Sequence, residues 1–187
     1  MIREVILTTL SPEGEPHLAP MGVHVLSEGG YLVMPFRPSR TLDNLLATGV
    51  AVVNYVDDVR IFAGCLTGRR DWPLEPTHHV KGVRLEGALG HSEVILDRYE
   101  DDPVRVRFYC RIVNEISRRP FLGFNRAQAA VLEAAILVSR LDRLPPERIR
   151  SEIDYLSIAI EKTAGPQERE AWLWLMEKVN NAIGTAA

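Results

Sequence analysis

The sequence predicts an α+β protein with a mainly β core, because the texture of the chain changes once along its length. Residues 4–54 read as short β-rich segments punctuated by turns, whereas from Phe124 onward apolar residues recur at three- and four-residue intervals. With 46% hydrophobic and 25% charged residues, the composition is that of a folded globular chain and disfavours disordered, collagen-like and coiled-coil architectures. A length of 187 residues leaves room for one domain plus an appendage, divided here as 1–120 and 121–187.

Taken in order, Val5–Leu10 is a strand, Ser11-Pro12-Glu13-Gly14 a turn, and the segment running to Leu26 a second strand. Glu28-Gly29-Gly30 turns the chain into Tyr31–Phe36, so two successive hairpins are expected. After Arg37-Pro38 the pattern becomes helical over Ser39–Ala47, Gly49 ends that helix, and Val50–Tyr55 returns to strand. Asp57-Asp58 reads as a helix cap. Two prolines in Trp72–Thr77 favour a surface crossing loop. Gly82–Ile95 reads as a strand. So does Arg105–Val113, where Val104, Val106, Phe108 and Cys110 alternate with Arg105, Arg107, Tyr109 and Arg111 to give one buried and one basic face. Three helices follow. Phe124, Ala127, Val131, Ala134, Val138 and Leu141 form one apolar face about five turns long; Pro145-Pro146 and Gly165-Pro166 separate it from two more, with stripes at Ile149, Ile153, Leu156 and Ile160 and at Trp172, Leu175, Val179 and Ile183.

Several classes of function are disfavoured. A net charge of −3 lacks the footprint of a nucleic-acid binder, and the arginines between Arg105 and Arg119 read as a solvated face opposite the acidic run Glu100-Asp101-Asp102. No apolar run approaches the roughly 18 residues of a membrane span, so a cytoplasmic protein without membrane contact is expected. Cys65 and Cys110 form no disulfide framework and read as reduced structural thiols. His78-His79 with His91 match no zinc spacing, so no metal is expected. There is no nucleophile elbow, phosphate-loop lysine motif or dinucleotide fingerprint, and no catalytic residue is identified.

Two segments could carry chemistry. In Arg37-Pro38-Ser39-Arg40-Thr41-Leu42-Asp43-Asn44, two hydroxyls and two guanidinium groups gather at the start of a short helix, a grouping suited to a phosphate. The same residues also read as a simple helix cap. In His17-Leu18-Ala19-Pro20-Met21-Gly22-Val23, Pro20 removes a donor and Gly22 a side chain inside a strand, which marks a bulge, an edge, or a close approach of another group to the backbone. A flat aromatic ligand and a barrel corner both satisfy that pattern.

The order of HLAPMGV, FRPSRTLDNL and VAVVNYVDD resembles the FMN-binding split-barrel proteins, and the later GFNRAQAAVLEAAILVSRL resembles the DUF447 family among them. The resemblance implies a split β-barrel followed by a C-terminal helical bundle. It implies a homodimer with flavin at the interface, and FMN as cofactor in preference to the deazaflavin F420. Carried onto this chain, Arg37, Ser39, Arg40 and Thr41 hold the phosphate with Asn44 in support. His17, Ala19, Pro20, Met21 and Gly22 lie along the ring, Asn54 borders the site, and Asn125 and Arg126 contribute an outer wall. The implied activity is a flavin-dependent oxidoreductase acting between a small-molecule electron donor and acceptor. The alternative is a non-catalytic flavin carrier with a helical interaction surface. Since flavin brings its own redox chemistry, neither reading requires an acid–base or nucleophilic set.

Overall fold

The protein's structure, a computed structural model, describes residues 1–184. In chain order the elements are β1 (Ile2–Leu10), β2 (Pro16–Val25), β3 (Tyr31–Val33), α1 (Arg40–Thr48), β4 (Val50–Tyr55), α2 (Arg60–Thr67), β5 (Leu74–Pro76), β6 (Val83–Leu85), β7 (Gly90–Glu100), β8 (Arg107–Ser117), α3 (Arg126–Val138), α4 (Pro146–Thr163) and α5 (Pro166–Ile183). They form two compact units: Met1–Val56 with Trp72–Phe121, and Asp57–Asp71 with the chain from Leu122 onward.

The first unit is a closed antiparallel barrel in the strand order β1-β2-β3-β8-β7-β4, with β5 and β6 as a separate two-stranded sheet. Inside it, Val5, Leu7, Val23, Val33, Val53, Val94 and Phe108 pack together, and Leu42 and Leu45 of α1 join them, so the helix is an integral part of the barrel core. The closure is uneven. β2 pairs with β1 along its whole length, from Ile2↔His24 to Leu10↔Pro16. It meets β3 only at His24↔Leu32 and Val25↔Tyr31, so among the described residues the β3 ladder leaves residues 19–23 uncovered on their second side.

The outside of β1, β4 and β7 is covered by the β5–β6 flap, which explains why Val5–Thr9 are buried on both faces of a strand expected to alternate. The flap is fastened by buried polar groups. Thr8 Oγ1 donates to Val83 O. Asn54 Nδ2 donates to Ile6 O and Thr8 Oγ1, and its Oδ1 accepts from Leu85 N at 2.8 Å. Glu93, wholly buried, accepts from the amides of His79 (2.8 Å) and Val80 (2.9 Å) and from Asn114 Nδ2 (2.8 Å). Beside it, burial holds His91 below its ordinary titration range, and its Nδ1 has no partner among the described residues.

In the second unit, Val59 and Ala63 of the α2 segment share a core with Ala127, Val131, Ala134, Ile149, Ile160 and Leu175. Asn125 starts α3, its Oδ1 accepting from the Ala127 and Gln128 amides. Pro146 and Pro166 occupy the first positions of α4 and α5, where their missing N–H is no loss. The small residues Ala127, Ala130 and Ala134 make one buried face of α3 and keep that face thin enough for close helix packing.

The structure differs from the sequence reading at several elements. A division at 120/121 groups α2 with the barrel, whereas its apolar residues pack into the helical core. Leu74–Pro76, read as loop, pairs with β6; prolines are tolerated there because the sheet has only two strands and both are edges. The stretch read as one strand over Gly82–Ile95 breaks into β6 and β7. The buried–basic alternation starts only at Val106, since Val104 precedes β8 and is 59% exposed. The first long helix spans 13 residues and excludes Phe124 and Leu141. Both cysteines are free and buried, in different units, and burial raises the Cys65 thiol to about 11 and the Cys110 thiol to about 12.

Glu93 gives the flap a pH dependence. Burial pushes its carboxyl up, but the hydrogen bonds from Asn114, His79 and Val80 together outweigh it and hold the group below the ordinary glutamate range. A depressed folded-state pKa stabilises above the unfolded value and loses that contribution as pH falls through the folded one. Protection of the His79 and Val80 amides in hydrogen exchange is therefore expected to stay constant from neutral pH down to the ordinary glutamate range, and to fall from there to the lower folded-state value. Protection that is already lost near neutral pH, or that persists in strong acid, contradicts this.

Candidate functional site

The start of α1 is built by Ser39, whose extended backbone (φ −160°, ψ 148°) and Oγ, accepting from Leu42 N at 3.3 Å, cap the helix. That bond uses an acceptor and leaves the hydroxyl proton available to a ligand. The amides of Arg40 and Thr41 belong to the first turn, where no intrahelical acceptor exists. Arg40 is exposed and takes part in no ion pair among the described residues. Thr41 is 3% exposed, and its Oγ1 has no hydrogen-bond partner among the described residues without being sealed from solvent. Arg37 is more committed: its Nη2 pairs with Asp101 at 2.6 Å and its N–H donates to Val104 O at 3.0 Å.

Asn44, one turn into α1, is buried and donates through Nδ2 to Thr9 Oγ1 at 2.9 Å. Thr9 lies directly across β1–β2 from His17. One buried threonine thus ties the helix carrying Ser39, Arg40 and Thr41 to the beginning of the HLAPMG segment. Sequence reasoning missed Thr9, although a pair of threonines inside an otherwise apolar strand was a readable sign of a buried polar contact.

On β2 the register with β1 is continuous, with Ala19↔Leu7, Pro20↔Ile6, Met21↔Val5 and Gly22↔Glu4, so the segment contains no bulge. Among the described residues the β3 ladder stops at His24, so Ala19–Val23 lie on an edge of the ladder, and Pro20 lowers the number of donors exposed there. Met21 packs against the barrel core. A Cβ on Gly22 would come within 3.1 Å of Ile2 Cγ2, the branch methyl of an exposed side chain, and 3.2 Å of Glu4 Oε1, the end of another.

Other expected site residues are placed elsewhere. Asn54 is fully buried with donors and acceptor committed to Ile6, Thr8 and Leu85, so it fastens the flap. Asn125 uses Oδ1 to cap α3 and Nδ2 on Thr163 O. Arg126 is the exposed first residue of α3 in the helical unit. The basic face of β8 is neutralised locally: Arg107 faces Glu100 at 3.6 Å, Arg111 pairs with Asp97 at 3.0 Å, and Arg105 stacks over Phe36 at 3.9 Å.

A closed six-stranded antiparallel barrel with a short helix seated in its core is the split-barrel fold. The chain belongs to the DUF447 family: residues 3–119 match the model described as Protein of unknown function (DUF447) N-terminal domain, and residues 125–177 match the one described as Protein of unknown function (DUF447). An FMN-bound DUF447 protein of Methanosarcina mazei has a similar structure, with a TM-score of 0.81 and 21% identity over 95% of this chain and 94% of that one. The 2-nitrobenzoate 2-nitroreductase NbaA of Pseudomonas fluorescens is similar over the barrel (TM-score 0.55, 22% identity, 61% of this chain and 64% of that one). The flavin reductase component BorF of a bacterial two-component tryptophan halogenase is similar to the same extent (TM-score 0.53, 18% identity, 64% and 82%). Among the described residues, no helix is long and apolar enough to cross a membrane.

The surroundings of Gly22 separate two reasons for a glycine. Because both neighbouring side chains are exposed, Glu4 is long and flexible, and the methyl of Ile2 needs to give by only a few tenths of an ångström, Gly22→Ala is expected to change barrel stability by less than about 1 kcal/mol in urea denaturation. A loss of several kcal/mol would show that the barrel itself, and not a ligand, requires the glycine.

Proposed function

We propose that this chain binds FMN, with its phosphate on the first turn of α1 and its ring along the open edge of β2, and that it acts as a homodimeric flavin-dependent oxidoreductase on a small molecule. The observation that carries the reading is the Asn44–Thr9 junction, which ties β2, beside the segment that β3 does not cover, to a helix start whose anion-binding groups are unspent among the described residues. Those groups fit a phosphomonoester. The amides of Arg40 and Thr41 carry the positive end of the helix dipole, Arg40 brings an unpaired guanidinium, and Ser39 and Thr41 offer hydroxyl donors. Arg37, held by Asp101, shapes the loop more than it neutralises charge.

On one face of β2, Pro20 has a short side chain and Gly22 none, so a flat ring can lie close to the backbone, while Met21, on the opposite face with the small Ala19, anchors the strand from the barrel side. The part of β2 that β3 does not cover is a surface that a second copy of the chain would shield, excluding water from the ring. Bound FMN supplies hydride and electron transfer, and the protein's share is to bind, orient and desolvate. The FMN-bound relative from Methanosarcina mazei and the reductases with the same barrel support this assignment.

Replacing Arg40 and Thr41 together by alanine is expected to weaken FMN binding roughly 30-fold, as the loss of one or two charge-assisted contacts implies, and to leave riboflavin binding within about twofold. Fluorescence titration with both ligands measures this directly. Equal loss for the two ligands, or no binding of FMN by the unmodified protein, contradicts the reading.

A further inference from the structure

Far from α1, the barrel contains a second set of groups that the flavin reading leaves unused. Tyr31 Oη and Tyr55 Oη lie 2.6 Å apart, Tyr55 Oη and Ser92 Oγ 2.6 Å apart, and Ser92 Oγ donates to Glu115 Oε2 at 2.8 Å. The chain begins at a buried tyrosine on β3, crosses a fully buried serine on β7 and ends at an exposed carboxylate on β8. Both tyrosines and Glu115 line a cavity of about 400 Å³, together with Arg3, Val25 and Ile112. Arg3 stands six residues before Thr9 on β1, so the cavity and the α1 junction are separated by about 20 Å of strand.

The direction of the hydrogen bonds follows from the carboxylate. An ionised Glu115 can only accept, so the single proton of Ser92 goes to it. Ser92 Oγ must then accept from Tyr55, and Tyr55 Oη from Tyr31. Every hydroxyl proton in the chain is committed, and the oxygen of Tyr31 keeps an unfilled acceptor position at the cavity. Burial pushes the Tyr55 hydroxyl above its ordinary range, so Tyr55 keeps its proton for Ser92. Gly30 fixes the floor: its φ is +84°, and a Cβ there would come too close to Cys110 O, which seats the turn directly on the backbone of β8.

The cavity therefore offers acceptors at Tyr31 and Glu115, a guanidinium at Arg3 with no ion pair among the described residues, and apolar walls at Val25 and Ile112. We propose that it is a second ligand site, for a small zwitterion of the aromatic α-amino-acid class. The carboxylate of such a ligand meets Arg3, its ammonium meets Tyr31 Oη and Glu115, and its ring occupies the space between the aliphatic and phenolic walls. The volume lies within the range of small-molecule pockets and exceeds what a single ion needs. The proposal is independent of flavin binding.

Calorimetric titration of the full chain with L-phenylalanine, 3-phenylpropionate and 2-phenylethylamine tests it, since the last two each lack one charge. Phenylalanine is expected to bind at least about tenfold more tightly than either analogue, one lost charged contact each. Arg3→Met is expected to abolish the preference over the amine, and Tyr31→Phe to reduce the preference over the acid; thermal melting verifies that each variant is folded. Arg3 is exposed, so its replacement keeps the test decisive even where Tyr31→Phe disturbs the core. No saturable phenylalanine binding up to about 10 mM, equal affinities for the three probes, or an unchanged preference in the Arg3 variant overturns the proposal.

Discussion

The hydrogen bond from Asn44 Nδ2 to Thr9 Oγ1 is the contact on which the arrangement of the candidate site depends. Both groups are buried, so neither can exchange its partner for water without opening the end of the barrel, and losing one side leaves the other unsatisfied at a cost of about 1–3 kcal/mol. Leu42 and Leu45, on the same helix, supply apolar burial but could slide over a greasy surface; the directional bond fixes where along β1 the helix stops. Because Thr9 is also the cross-strand neighbour of His17, the position of α1 and the path of β2 are set by one residue.

The barrel uses its polar residues in two opposite ways. Outside, under the flap, buried Thr8, Asn54 and Glu93 and half-buried Asn114 form a layer in which donors and acceptors answer one another across strands that share no ladder with the flap. Such a layer selects one register, since sliding by a residue would strand several groups at once. At the start of α1 the logic is inverted: Ser39 retains a free hydroxyl proton, Thr41 an unpartnered oxygen and Arg40 an unpaired charge. Saturated polar groups hold the fold, and unsaturated ones at an opening are available for a ligand.

Much of the barrel was legible in the sequence. Turn residues delimited the two N-terminal hairpins, and the switch from alternating to helical period located α1 between β3 and β4. The carriers of the resemblance, HLAPMG and the Arg37–Asn44 segment, are the two that Thr9 brings together. What escaped was non-local. Asn54 looked like a ligand residue because nothing in its neighbourhood in sequence reveals that Leu85, 31 positions later, donates to it. Asn125 sits in a moderately specific segment, yet its role is to cap α3, a reading available from its place just before a helical pattern. The α2 segment follows β4 directly, but its partners Ala127 and Leu175 lie far downstream, so chain order assigned it to the wrong unit. The pairing of Arg37 with Asp101 likewise spans 64 positions.

The central claim is that the first turn of α1 and the open edge of β2 form a single flavin site. A crystal structure of the protein grown with FMN tests it most directly. The account predicts a phosphate within hydrogen-bond distance of the Ser39, Arg40 and Thr41 groups, with the ring lying along residues 17–22. A phosphate held elsewhere on the barrel, or a ring stacked away from β2, would contradict it.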